Sequence, residues 1–407
     1  MTTIVAGLRG TGDFGTDERP KDFRETILFR NPNGSAPLTA LMAKMRSEGT
    51  TDPEFAWWDE PNDIIRLQLN GLVATTSTTI TVDSANPSAT SPHLVWGTAD
   101  NLVAGDLLQV ESAQTTTYAN EIVMVSSVTS STSFVVKRGQ AGTTAATVAD
   151  DVYFTKIGNA FAEGTGAPEA ASRNPTKYFN YCQIFKTVYD ITNTTLKTKF
   201  RTGDPLANDK KRKMFDHAAS LEMAYMWGAK NESTGANGKP LRFMGGLRSF
   251  ISTQNVTIFT TTPTVNTILN AIYKVFDFDT AAGDERIVFM GNGAANAWNQ
   301  VVKSAGNIEF GEVVRLYGMN LREYVLPQGR LFIRTHPLMN RHGTYANSAF
   351  IIDPTAMIDR PLRKTAFKDN IQANDEDRRK GQWLTESGLE VRYGGLTLGY
   401  LGNFTNP

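Results

Sequence analysis

The spacing of apolar positions changes several times along this chain, and each change marks an element. Leu38, Leu41, Met42 and Met45 recur at helical spacing, with Ser35 as N-cap and Pro37 in the first turn, so a helix is predicted over about 36–46. Gly49 and Pro53 end it, and the aromatic run FAWWDEPNDIIRLQL that follows reads as extended. Phe55, Trp57 and Trp58 are expected in core or interface packing, with a ligand-stacking site as the alternative. The first thirty residues, loosened by Gly7, Gly10, Gly12 and Gly15 and carrying the charged run DERPKDFRE, are expected to gain order only against something else.

Residues 75–155 form a Ser/Thr-rich β unit. Ile80 and Val82 alternate with Thr79 and Thr81, the period of a half-buried strand. LVAGDLLQV turns at Gly105-Asp106, and 121–127 and 133–138 read as a hairpin. A compact barrel or sandwich of about five strands is predicted. The unit departs along one aromatic segment and returns along another, TKYFNYCQIFKTVYDIT, so the excursion reads as a projecting loop shaped to touch neighbours. GNAFAEGTGAPEAASRNP, 158–175, has no period and is loop.

The clearest helix opens at Asp204-Pro205, a cap followed by proline at the first helical position. Its predicted buried stripe is Met214, Ala218, Leu221 and Tyr225, widened by Phe215, Ala219 and Met226. Continuing to Lys230, it would span roughly 40 Å. From Thr264 to Tyr345 helix and strand alternate: TVNTILNAIYKVFDF, ERIVFM, AANAWNQVVKSA, MNLREYVLP and GRLFIRTH. The tail returns to β through AFIIDP, a charged stretch and GLEVRYGGLTLGYLGNF, in which Leu389, Val391 and Tyr393 alternate.

With 407 residues the chain has room for two or three domains. Lys plus Arg and Asp plus Glu each number 41, and this zero formal charge argues against a dedicated nucleic-acid binder. The lone Cys182 makes no intramolecular disulfide, which fits a reducing compartment, and neither a signal peptide nor a membrane span is visible. Synthesis and folding in cytoplasm are expected.

Candidate chemistry is sparse. Gly291-Asn292-Gly293 follows a strand and precedes a helix, where a phosphate loop would sit, but it lacks a third glycine and a P-loop lysine. His93, His217, His336 and His342 do not have metal-ligand spacing. Cys182 has no histidine partner nearby in sequence. Asp277, Asp279, Asp284 and Glu285 cluster around a loop and are read as flanking a helix end and turn. The run Lys210-Lys211-Arg212-Lys213 reads as a solvated face, with contact to an acidic partner or packaged nucleic acid as the alternative. No catalytic, cofactor-binding or metal residue is assigned, and an enzyme is not expected.

The order of parts carries a resemblance. PLTALMAKM followed by FAWWDE, then LVAGDLLQV, GNAFAEGTGAPEA, YFNYCQIFKTVYDIT and finally KGQWLTESGLEVRY resembles the major capsid proteins of tailed bacteriophages with the HK97-type α+β fold, in the branch with a β-rich insertion in the extended loop. The resemblance covers most of residues 35–400. It implies an N-terminal arm and short helix (1–54), an extended loop (55–178) with the inserted β domain at about 75–155, and a spine helix (204–231). It also implies an axial domain (262–350) and a discontinuous peripheral domain (179–261 and 351–407). The implied function is a structural subunit assembling into hexamers and pentamers of an icosahedral head around packaged double-stranded DNA. The implied partners are portal, scaffold and decoration proteins, with no membrane, and the location is the virion, assembled in host cytoplasm. Another phage structural or surface-binding protein with a Ser/Thr-rich β domain is the alternative. Cross-linking of neighbours through a lysine and an asparagine occurs in some members, but no motif here fixes those positions.

Overall fold

The computed structural model describes residues 46–60, 65–83, 98–111, 121–168, 170, 174–200, 203–278, 280–304, 313–316 and 319–404. The loose arm and, but for Arg46, the helix expected over 36–46 lie outside the described residues.

The extended segment becomes β1 (Glu54–Asp59), whose alternate residues Phe55 and Trp57 are buried while Trp58 is 61% exposed. The inserted unit is built from β2 (Arg66–Gln68), β3 (Thr79–Thr81), β4 (Asp106–Glu111), β5 (Ile122–Ser130), β6 (Ser133–Gln140) and β7 (Tyr153–Asn159). They form one six-stranded sheet in the order β2-β7-β4-β5-β6-β3. Its two ends meet. Leu69 bridges Val82, Asn70 N–H donates to Thr81 O at 2.9 Å and Asp83 N–H to Gln68 O at 2.9 Å, so the sheet closes into a barrel. Alternation fills it: Leu67, Leu69, Ile80, Leu108, Val110, Val123, Val125, Phe134, Val136 and Phe154 share one buried cluster.

The barrel's first strand lies ahead of the expected start at 75 and makes a sixth strand. Three residues, Arg-Leu-Gln, are too few to show a period, which is why β2 merged with the aromatic segment in the sequence. A fragment of residues 65–160 is accordingly expected to give a β-type circular dichroism spectrum and a cooperative melt. One of residues 72–157 omits Leu67 and Leu69, 1% and 0% exposed, and is expected to melt much lower or not cooperatively. Equal melts for the two fragments would show that β2 is not needed to close the barrel.

The chain returns in β8 (Thr176–Tyr181), which pairs antiparallel with β1 as a two-stranded ribbon, Trp57 opposite Tyr178 and Asp59 opposite Thr176. After β9 (Gln183–Thr192) the long helix runs Pro205–Trp227. Asp204 caps it by accepting the Leu206 N–H, Pro205 occupies the first turn, and 23 residues give about 35 Å. Its buried face is His217, Leu221, Glu222, Tyr225 and Met226. Met214, expected in the stripe, is instead 57% exposed, because the helix turns two polar residues inward and finds partners for them.

Beyond the exposed hairpin β10 (Asn231–Thr234) and β11 (Pro240–Phe243) lies a seven-stranded sheet. It takes in β12 (Val256–Ile258), β13 (Glu285–Met290), β14 (Val313–Leu316), β15 (Met319–Leu326), β16 (Gly329–Thr335), β17 (Ala349–Ile352) and, past the long pair β18 (Met357–Lys368) and β19 (Arg378–Val391), β20 (Gly399–Gly402). The order is β12-β20-β17-β13-β16-β15-β14, with β13 parallel to β16 and β12 parallel to β20. Both faces are covered. Ile287 and Phe289 join the cluster under the long helix, whereas Val288 and Met290 join one beneath the helices Val265–Ile272 and Asn292–Ser304. Burial on both sides is why ERIVFM and AFII read as unbroken apolar runs.

Strands β18, β19 and β9 form a third sheet against the long helix. β18 is the charged stretch that carried no strand signal. Its arginines pair across the ladder, Arg360 with Glu390 at 2.5 Å and Arg363 with Glu386 at 2.5 Å, so the charges stabilise a strand instead of marking a loop. The seven-stranded sheet also draws β12 and β20 from outside the 262–350 segment.

Candidate functional site

Most of the candidate chemistry resolves into packing. Gly291 and Gly293 lie under the turn at 345–347: a Cβ on Gly291 would come 2.3 Å from Ala346 O, and one on Gly293 1.9 Å from Asn347 Oδ1. The Gly291 N–H goes to Ser348 O, and the Asn292 N–H donates to Asn340 Oδ1 at 2.6 Å, so these donors are spent on the protein itself. Cys182 is buried, its thiol 3.5 Å from Arg360 O, and burial, with Glu386 beside it, pushes the thiol up to about 12, far from a nucleophilic thiolate. His342 stacks on Tyr345 at 4.3 Å, while His93 and Asp279 lie outside the described residues. Among the described residues, no group of three or more His, Cys, Asp or Glu side chains is placed to hold a metal ion.

Near Asp277, Asp284 and Glu285 the organising group is the buried Arg286, which donates to the carbonyls of Val275, Gly283 and Glu285 and lies 4.0 Å from Asp353. In the basic run, Lys210 turns inward over Tyr189 and Phe367 and reaches Asp369 at 3.4 Å, and Lys213 lies 3.7 Å from Asp216. Asp369 also binds the Tyr189 hydroxyl at 2.5 Å and Arg379 at 2.7 Å, and these contacts, Arg379 foremost, hold its carboxyl far below the usual carboxylate range.

The distinctive geometry belongs instead to a carrier and its load: the β1/β8 ribbon and the closed barrel. At the root, Trp57 packs among Phe55, Tyr178 and Phe250, with ring centroids at 6.0, 6.1 and 5.7 Å. Asn180, fully buried, donates to Gly245 O and Leu389 O and accepts from the Gly245 and Tyr181 N–H groups, which fixes β8 to the body. The backbone at 46–50 is also tied down: Glu48 N–H donates to Asp359 O, Thr50 N–H to Pro361 O, and the Glu48 carboxylate meets Arg360 at 2.7 Å.

The long helix is held by polar contacts that the sequence did not announce. His217 lies between the hydroxyls of Thr385 (2.8 Å) and Thr187 (3.1 Å), and burial lowers its pKa. Glu222 accepts from His336 Nε2 at 2.7 Å with both side chains at 0% exposure. Tyr225 donates to Asp359 at 2.7 Å. The available signal was polar residues on the apolar stripe of a strongly capped helix, with His217 and Glu222 beside Leu221 and Tyr225. Among the described residues, exposed apolar side chains occur on the ribbon (Trp58), the barrel (Leu72, Ile157), the hairpin (Leu241, Phe243), the long helix (Met214) and the seven-stranded sheet (Ile258, Val325). That distribution suits contact with several neighbours better than one concave pocket.

Over residues 7–395 the chain matches the family model described as the SU10 major capsid protein. It is 24% identical over 422 residues to the major capsid protein of Pseudomonas phage PaMx41, covering 100% of this chain and 94% of that one. Among solved structures it is similar to the capsid of Myoviridae phage XM1, at 9% identity and a TM-score of 0.45, covering 94% of this chain and 96% of that one. It is also similar to a structure from Mycobacterium phage Bobi, at 7% identity and a TM-score of 0.45, covering 95% and 96%.

Proposed function

The chain belongs to the SU10 major capsid protein family, and from that premise we propose that it is the structural subunit of a tailed-phage head, copies of which join as hexamers and pentamers into an icosahedral shell around packaged double-stranded DNA. The observation that carries this reading is the family match over residues 7–395, which takes in the ribbon, the barrel and the long helix.

The architecture supports an HK97-type division of labour. In this reading 1–54 is the arm, 55–178 the extended loop, 204–231 the spine, 262–350 the axial domain, and 179–261 with 351–407 the peripheral domain. A subunit touching several neighbours gains from a long carrier with a rigid head, because each shell interface is modest and many must add up. A formal charge of zero lets many copies pack without mutual repulsion. The role is structural, not catalytic, and portal, scaffold and decoration proteins would complete the particle, which assembles in host cytoplasm and ends as the virion. Electron microscopy and sedimentation of the purified full-length chain test the reading, since only a shell protein forms closed particles of many copies.

A further inference from the structure

Charge is divided unevenly along this chain. The segment 65–160, which holds the barrel, has seven acidic and four basic side chains, a net charge of −3, so the rest of a chain of zero formal charge carries +3. Three of the barrel's cations are bonded inside it: Arg66 to Glu111, Arg138 to Glu121 and Lys156 to Asp106. Asp150 and Asp151, just ahead of β7, are exposed. β2 runs out from the ribbon and β7 runs back to it, so the two aspartates stand at the barrel's far end. Asp150 accepts the Gly71 N–H at 2.6 Å and Asp151 accepts from the Gln68 amide at 3.1 Å, which holds both near the turn that carries Leu72. Leu72 is 69% exposed, an apolar knob beside an acidic pair.

The counterpart is the open face of the β18-β19-β9 sheet, on the side away from the long helix. β9 buries Phe185 and Tyr189 on the helix side, which turns Ile184, Lys186, Val188 and Asp190 outward. The register sets Lys380 opposite Asp190, and Gln382 between Val188 and Lys368. The two acids of this open stretch are already bonded to arginines, Asp190 to Arg378 at 2.8 Å and Glu386 to Arg363 at 2.5 Å. Lys186, Lys368 and Lys380 therefore leave the face positive. Ile184 and Val188, 49% and 37% exposed, stand among them. Duplex DNA calls for cations alone, whereas an apolar centre with a charged rim is the make-up of a protein contact. The chain's own barrel is carried the other way. The ribbon ends at Asp59 beside Gly394, past the last residue of β19. The basic stretch lies toward Arg378, the first residue of that strand, roughly 45 Å from its other end.

We propose that the barrel's far end docks on this sheet face of a second copy of the chain, Leu72 against Ile184 and Val188, with Asp150 and Asp151 facing Lys186 and Lys380. As a contact between copies, the docking rests on the reading of the chain as a shell subunit.

Full-length variants test it. Asp150→Lys with Asp151→Lys is expected to cut the yield of closed particles about tenfold at unchanged melting temperature, because like charges then meet across the contact. Lys186→Glu with Lys380→Glu should do the same. One chain carrying all four changes restores opposite charges and should recover most of the native yield. Separately, Leu72→Cys chains mixed with Val188→Cys chains, with diamide as the oxidant, should give a mixed disulfide well above what either forms alone. A four-change chain that assembles no better than either pair would overturn the docking, as would native yield from either pair. Loss of bound duplex DNA from the lysine variant, with particle yield unchanged, would assign the face to nucleic acid instead. A native chain that forms no particles contradicts the shell reading alone. The cysteine pair still reads the docking in that case, and absence of the mixed disulfide would overturn it.

Discussion

Glu222→Ala is expected to destabilise the folded chain by about 3–5 kcal/mol, the largest single-residue loss outside the barrel. The Glu222 carboxylate and His336 ring meet at 2.7 Å with no exposed surface on either, the glutamate on the long helix and the histidine just past β16. Packed side chains surround the pair, Phe289 standing edge-on to the imidazole at 5.7 Å. Removing Glu222 leaves the buried His336 ring N–H without its acceptor, which costs far more than an exposed ion pair contributes. His336→Ala should lose less, because Glu222 also interacts with Arg334, and the double variant should lose less than the two losses added. Urea midpoints read this directly. Single-variant losses below about 0.5 kcal/mol, the range of surface substitutions, would show that the pair does not dock the helix.

Arg138→Ala is expected to have the largest effect in the barrel. Arg138 makes a two-pronged contact with Glu121 at 2.6 and 2.6 Å and also donates to the carbonyls of Ala74, Ser77 and Ala146, which ties together the loops at one end. Glu121, only 2% exposed, accepts Gly139 and Ala146 N–H groups as well. Loss of the guanidinium leaves that carboxylate buried without its cation, at a cost of about 3–5 kcal/mol. In the 65–160 fragment that would lower the melting temperature by roughly 15 °C or more. Replacing both residues, as Arg138→Met with Glu121→Leu, should recover much of the loss. Burial raises the Glu121 pKa, but Arg138 and the two N–H groups outweigh it and leave the group below its usual value of 4.5. The stability it contributes is therefore present above that value and lost as the pH falls toward the lower folded one, a loss the double variant should not show. A fragment whose melt is unchanged by Arg138→Ala would mean the loops close without this contact.

Local signals were legible in the sequence and distant partnerships were not. Asp204-Pro205 announced the long helix because capping acts within a few residues, and ERIVFM announced a strand because its apolar run is local too. β18 read only as a charged stretch because Arg360 and Arg363 find Glu390 and Glu386 only after the chain doubles back. Met214 seemed a better core residue than His217 because the hydroxyls that satisfy His217 belong to Thr187 and Thr385, 30 and 168 positions away. The ribbon root was invisible for the same reason, with Asn180 reaching Leu389 across 209 positions. The resemblance of the segment order to phage capsid proteins did show in the sequence, because such order survives when single contacts cannot be traced.

Electron microscopy of the purified full-length protein, paired with sedimentation velocity, shows whether this chain builds a shell. Closed, hollow particles of uniform diameter that sediment as assemblies of many copies are expected, alongside rings of five and six subunits. A chain that stays monomeric or stops at a small oligomer, across the concentrations and salts that favour association, would contradict it.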